Sequence, residues 1–152
     1  LAIHPDGIVY AGGPGSPYDI EETITNAKAL LGKCPIMATG LGHEVLAVAL
    51  GASVKKMKVG HHGNSTPVRN LKKNKVEFTS QNHGYDIDEA SLANTGITVT
   101  HTALNDNSIE GFVHESYSLM SFAFDPAAAP GADDVAYVFD EFCEMMNERG
   151  AK

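Results

Sequence analysis

The sequence predicts an α/β layer fold: an open, twisted, largely parallel sheet flanked by helices, with an antiparallel insertion. Three observations carry this expectation. Short apolar runs alternate with helix-period stripes through the first third of the chain. The middle instead holds five β-type runs with turn signals between them, several close enough to pair as hairpins. The end returns to a helical stripe, in which Val135, Val138, Phe139, Phe142, Cys143 and Met146 follow i, i+3, i+4, i+7, i+8, i+11 spacing.

Each element has its own local signal. Residues 8–11, "IVYA", form a short buried-strand candidate closed by the turn run Gly12-Gly13-Pro14-Gly15. Ser16-Pro17 starts a helix, with Glu21 and Glu22 near its positive dipole end. Ile24, Ala27, Leu30 and Leu31 form that helix's apolar stripe, and Gly32 ends it. Residues 35–39 read as the next strand, and Val45, Leu46, Ala49 and Leu50 share one face of a helix that stops at Gly51. Residues 54–59, 76–80, 97–102, 109–113 and 119–124 read as strands. In the final helix Asp133 and Asp134 suit the start, Arg149 suits the end and Gly150 closes it. The stripe predicts that the Cys143 sulfur is buried in the core. No internal repeat, low-complexity segment or long linker divides the 152 residues, enough for one domain with its own core.

Composition narrows the function classes. No apolar run approaches the ~18 residues of a membrane-spanning helix. Residues 1–17 contain Asp6 and several Gly and Pro rather than the apolar stretch of a cleavable signal. Two cysteines, Cys34 and Cys143, are too few for a disulfide framework and suit a reducing cytoplasm. A formal charge of -8 argues against nucleic acid or an anionic membrane as partner. Seven of the eleven basic residues nevertheless lie between Lys55 and Lys75, with no acidic residue among them. That segment reads as a solvated face or as a docking patch for an acidic surface.

Sites in such sheets gather at the carboxyl ends of strands. Two glycine-rich corners fall there, Gly12–Gly15 and Gly40–Gly42. The second, inside "MATGLGHE" at residues 37–44, is a strand-turn-helix joint of the kind that presents a reactive side chain, yet its middle position is Gly40. "GGPGSP" lacks the Lys-Ser/Thr ending of a phosphate loop. His43, His61, His62 and His83 show no i, i+4 pair and no cysteine neighbour, so no metal site is expected.

Six ordered segments together resemble one family. They are "GGPGSP" at 12–17, "GLGHE" at 40–44, "GHHGNSTPV" at 60–68, "QNHGYDID" at 81–88, "EGFVHE" at 110–115 and "DPAAAPG" at 125–131. They are similar to the class I glutamine amidotransferase domain of the carbamoyl phosphate synthase small subunit. The first two are shared with other class I amidotransferases, and the GHHG…PV and QNHGY segments point more narrowly. The resemblance implies a flavodoxin-like fold and a single amidotransferase-like domain over 1–152 that lacks the family's first strand-helix units. It implies a cytoplasmic protein without a cofactor and a carbamoyl phosphate synthase large subunit as partner. Glutamine is the implied ligand, and the implied pathways are pyrimidine and arginine biosynthesis.

The family's chemistry needs three groups. A thiolate attacks the side-chain amide of glutamine, an imidazole deprotonates the thiol, and a carboxylate orients the imidazole. The resemblance places these positions at Gly40, Asp125 and Ala127, and none carries the family's side chain. It assigns glutamine contacts to Gly13, Gly15, Leu41, Asn82, Gly84 and Tyr85, and to Glu44 where the family has Gln. Backbone N–H groups of the first corner and of Leu41 would face the oxyanion. A carboxylate at Glu44 would repel glutamate.

Glycine suits an elbow, because it adopts strained backbone angles without a Cβ clash. Thr39, expected to point away from the elbow, and Cys34, a strand length off, are poor substitutes for the nucleophile. Three readings follow: an amidotransferase domain without glutaminase activity that serves a synthetase as a structural or regulatory partner; an enzyme whose triad was altered or whose chemistry has moved; or a glutamine- or glutamate-binding or interaction module.

Overall fold

The structure, a computed structural model, describes residues 5–11, 16–127 and 135–150. Seven strands form one sheet in the order β1-β2-β7-β6-β5-β3-β4. They are β1 (Ile8–Tyr10), β2 (Ile36–Thr39), β3 (Val54–Asn70), β4 (Lys75–Ile87), β5 (Thr98–Ala103), β6 (Ile109–His114) and β7 (Leu119–Phe122). The helices are α1 (Glu21–Leu30), α2 (Leu41–Ala49) and α3 (Tyr137–Gly150). The α/β class with flanking helices and an antiparallel insertion holds. The sheet is mixed rather than largely parallel: β1, β2 and β7 run parallel, while every pairing from β7 out to β4 is antiparallel.

The alternation of strand side chains builds a core on each face. Along β2, Ile36 and Ala38 point to one side, where they meet Ile24 and Ala27 of α1 and Val45 and Leu46 of α2. Met37 points to the other side, with Met120, Phe122 and Phe124, beneath Val138 and Phe142 of α3. Ser16 starts the first helical segment as expected: its Oγ accepts from the Tyr18 N–H (3.3 Å) with Pro17 in the first turn. That turn is a short 3-10 piece, and the α-helix proper begins at Glu21.

Two expectations change. The runs at 54–59 and 76–80 are parts of one much longer hairpin, β3–β4, which absorbs both "GHHGNSTPV" and "QNHGYDID". Their Gly, Asn and His residues read locally as loop, but cross-strand pairing decides their conformation. Cys143 is exposed, not core. The stripe of α3 is narrower than the spacing allows: Val135, Val138 and Phe142 are buried, whereas Phe139 stands at the rim, 37% exposed. Asp133 and Asp134 lie outside the described residues.

The hairpin and α3 are tied together by a buried polar group. The Tyr137 hydroxyl donates to Glu77 Oε1 (2.8 Å). Asn70 Nδ2 and His101 Nε2 donate to the same oxygen, each at 3.1 Å. Lys73 Nζ lies 3.8 Å over the Tyr137 ring, so this member of the basic segment is engaged within the chain. No described helix is long and apolar enough to cross a membrane.

Candidate functional site

The joint between β2 and α2 is a single residue. Thr39 ends the strand, Leu41 opens the helix, and Gly40 between them has φ 55 and ψ -124. A side chain at those angles crowds its own backbone, so glycine is the residue that fits without strain. The Gly40 N–H donates to the Phe122 carbonyl (3.0 Å), which anchors the corner to β7. Gly42 holds the helix start against β1, where a Cβ would collide with the Tyr10 carbonyl. Leu41 is at the helix start, where the first N–H groups lack intrahelical acceptors and suit an anionic atom.

A cavity of about 630 Å³ opens at the carboxyl ends of β1, β2 and β7. Gly40, Asn82, Asp125 and Ala127 all line it, with Thr39, Phe139 and apolar residues completing the wall. The structure thus gathers four of the positions singled out in the sequence. Thr39, expected to point away from the elbow, borders the same space. Asp125 is joined to the hairpin by its N–H, which donates to the Ser80 carbonyl (2.9 Å), and its Oδ1 accepts from the Ala127 N–H (2.9 Å). No cysteine or histidine appears among the described lining residues. Gly13 and Gly15 lie outside the described residues.

Leu41, Glu44, Gly84 and Tyr85, the other described positions with an expected contact, are not among the lining residues. Tyr85 packs half-buried against the core of α1 and α2. The side of Gly84 on which a Cβ would stand is open, with no atom within 4 Å. Glu44 is buried, 3% exposed, and its Oε2 has no hydrogen-bond partner among the described residues. Burial pushes its carboxyl up to about 7, Asp86 adds to the shift and His83 opposes it. Glu44 is therefore partly neutral near pH 7, and its protonated form can donate a hydrogen bond as an amide does.

Behind Asn82 lies a group that the sequence did not reveal. His61 on β3 and His83 on β4 are direct cross-strand partners. The His61 Nδ1–H is shared between Gln81 Oε1 (2.7 Å) and Glu110 Oε1 (2.9 Å), and Nε2–H donates to Asp106 Oδ2 (2.8 Å). His83 Nε2–H donates to Gln81 Oε1 (2.9 Å), and its Nδ1–H donates to the Tyr85 carbonyl (3.1 Å). The hydrogen bond to Glu110 lifts His61 to about 9 against the cost of burial. Glu110 is fully buried, yet its hydrogen bond from His61 and the positive charge of His83 at 3.6 Å outweigh burial and keep its carboxyl below the usual range.

His61, His83 and Glu110 present ligand atoms within 4.8 Å of one another, a composition that could hold a metal ion. The contacts made by His61 Nδ1, at 2.7 and 2.9 Å, have the length of hydrogen bonds. Atoms bound tetrahedrally to zinc at ~2.0–2.1 Å stand roughly 3.3 Å apart. As they stand, these side chains are joined by hydrogen bonds and ion pairs. The cluster's sequence signal was the equal alternation of "GHH" and "NHG" on two runs that pair, which becomes visible only once the register is known.

A second decoy lies in the core. His43 Nδ1 and Ser121 Oγ are 2.7 Å apart, as in a nucleophile–base pair. Both residues are shut away from solvent, and burial drops His43 to about 3. The pair ties α2 to β7 and offers no path to a substrate.

The chain matches the family model described as "Glutamine amidotransferase class-I" over residues 1–145. It is 45% identical to the carbamoyl phosphate synthase small chain of Listeria innocua over 97% of its own length and 40% of that protein's. To the corresponding small chain of Staphylococcus saprophyticus it is also 45% identical, over 100% of this chain and 42% of the relative. The chain thus spans about two-fifths of the length of these curated relatives. The crystal structure of a glutamine amidotransferase from Thermotoga maritima superposes with a TM-score of 0.71 at 20% identity, covering 100% of this chain and 68% of that one. That likeness speaks for the fold alone.

Proposed function

The chain belongs to the class-I glutamine amidotransferase family, and we propose that it is a carbamoyl phosphate synthase small-chain-type domain that keeps an amino-acid pocket but does not hydrolyse glutamine. One observation carries the reading. The cavity at the strand-to-helix elbow has Gly40, Asp125 and Ala127 in its wall, and no thiol or imidazole among its described lining residues.

The physical argument is about what an amide needs in order to break. A nucleophile must reach the carbonyl carbon, a base must accept its proton, and donors must meet the oxyanion. Gly40 supplies backbone geometry and no nucleophile. The exposed Asp125 carboxylate is not hydrogen-bonded to any imidazole among the described residues. Leu41 at the start of α2 still offers a place for negative charge. A site with helix-start donors but no thiol at its elbow can hold an amide, and lacks the group that would form the family's acyl intermediate. Members of such a triad act as a unit, so three simultaneous substitutions leave only residual stabilisation.

In this role the domain pairs with a carbamoyl phosphate synthase large chain, which then uses free ammonia. The position of the pocket wall favours a second function for the same cavity: reporting glutamine or glutamate by binding without turnover. Asn82, which lines the cavity, supplies a polar contact for that reading.

The test is glutamine-dependent ammonia release by the purified chain and by the variant Gly40→Cys/Asp125→His/Ala127→Glu. The unmodified chain is expected to stay at the background rate, and the triple variant to rise above it. Ammonia release by the unmodified chain at the rate of an active small chain would reject the proposal.

A further inference from the structure

Asn82 is a cavity-lining residue that is held from outside the cavity. Its strand neighbours Gln81 and His83 point the other way, into the buried cluster with His61 and Glu110. This fixes the backbone on either side of it. On the adjacent strand, His62 is its direct cross-strand partner. The His62 Nδ1–H donates to Asn82 Oδ1 at 2.7 Å. Gly60 makes room for this ring, since a Cβ at that position would come within 2.7 Å of His62 Nε2.

The consequence is chemical. A carboxamide has a donor end and an acceptor end, and a free one can turn either toward a ligand. With its oxygen engaged by His62, the end of the Asn82 carboxamide left for a ligand in the cavity it lines is the NH2. Two N–H donors match a carboxylate and repel an ammonium group.

We propose that His62 is a positioning residue: it orients the Asn82 carboxamide so that Asn82 reads the α-carboxylate of an amino-acid ligand in the elbow cavity. This rests on the reading of that cavity as an amino-acid pocket. His62 itself touches no ligand and acts only through Asn82. Both side chains are exposed, so their replacement leaves the core untouched.

The experiment uses the whole chain, labelled with nitrogen-15. The Asn82 side-chain NH2 signal is assigned by its disappearance in Asn82→Asp. In His62→Ala that signal is expected to shift while the backbone spectrum stays that of the folded protein. Glutamine and glutamate affinities, measured by titration calorimetry, should fall by the same factor of about ten. The affinity of 4-aminobutanamide, which is glutamine without its α-carboxylate, should not change. His62→Gln, whose amide can still donate, should recover most of the loss. An unmoved Asn82 signal in His62→Ala overturns the positioning role. An equal loss for 4-aminobutanamide overturns the carboxylate assignment. If neither amino acid binds the unmodified chain, the pocket reading fails, and the Asn82 signal still decides whether His62 holds the carboxamide.

Discussion

The wall of the elbow cavity and the ion cluster behind Asn82 sit on neighbouring parts of the same sheet, and they are built on opposite terms. The cavity wall has its polar groups in contact with solvent, and its central residue, Gly40, has no side chain. The cluster has none of that slack: His61, Gln81, His83 and Glu110 are buried and each is joined to at least one other member. The difference follows from solvation. A reactive group on a cavity wall can be replaced by a small residue at little cost to folding, because water takes the vacated space. A buried charge cannot be removed singly, because its partner is then left unpaired in a medium of low dielectric. A domain of this design can be without its chemistry and still keep the frame around it.

The largest effect should therefore come from the side with no catalytic role. Glu110→Ala leaves protonated His61 with only the partly exposed Asp106, and leaves His83 beside it without a carboxylate. The expected loss is about 3–5 kcal/mol of stability, read from urea unfolding at pH 7. A loss below about 1 kcal/mol would mean that the cluster is wetter and looser than its hydrogen bonds indicate.

Glu44 sharpens the contrast, because it stands on α2 just after the elbow but is buried like the cluster. Its folded carboxyl holds a proton up to about 7, against 4.5 for an ordinary glutamate side chain. Between those values the folded state binds the proton that the unfolded chain has released, so stability falls as pH rises through this window and the full cost is felt above pH 7. Glu44→Gln removes that cost. The variant should match the unmodified chain below pH 4.5 and exceed it above pH 7 by on the order of 3 kcal/mol. Parallel stability curves for the two proteins from pH 4 to 8 would show that Glu44 is solvated after all.

The smallest effect belongs to the elbow. Gly40→Ala places a Cβ at φ 55, where L-residues are strained, and should cost about 1 kcal/mol without altering the fold. Thermal unfolding checks this. An unchanged midpoint would mean that the corner relaxes freely and need not be glycine.

Much of the site-bearing half was legible in the sequence. The run at 35–39 and the stripe of Val45, Leu46 and Ala49 appear as β2 and α2, because local period and burial agree there. The corner between them was legible too, since only one residue separates strand from helix. The hairpin was not. Residues 60–64 and 81–84 carry Gly, His and Asn, which favour turns locally, and their strand conformation depends on pairing across more than a dozen residues. The His61–His83 contact follows from that register and has no local signature. Cys143 misled for the opposite reason: its helical spacing was right, but spacing cannot say how wide a stripe the neighbouring sheet covers. Glu44 was read from the sequence as a repelling charge, whereas its burial makes it partly neutral near pH 7.

The most direct test of the account is covalent. The chain would be incubated with glutamine, quenched in acid and weighed intact by mass spectrometry, beside Gly40→Cys/Asp125→His/Ala127→Glu treated in the same way. An unchanged mass for the unmodified chain is the predicted result, because Gly40 at the elbow has no side chain and no thiol is among the described lining residues. A γ-glutamyl adduct on any residue of the unmodified chain would contradict the account at its centre.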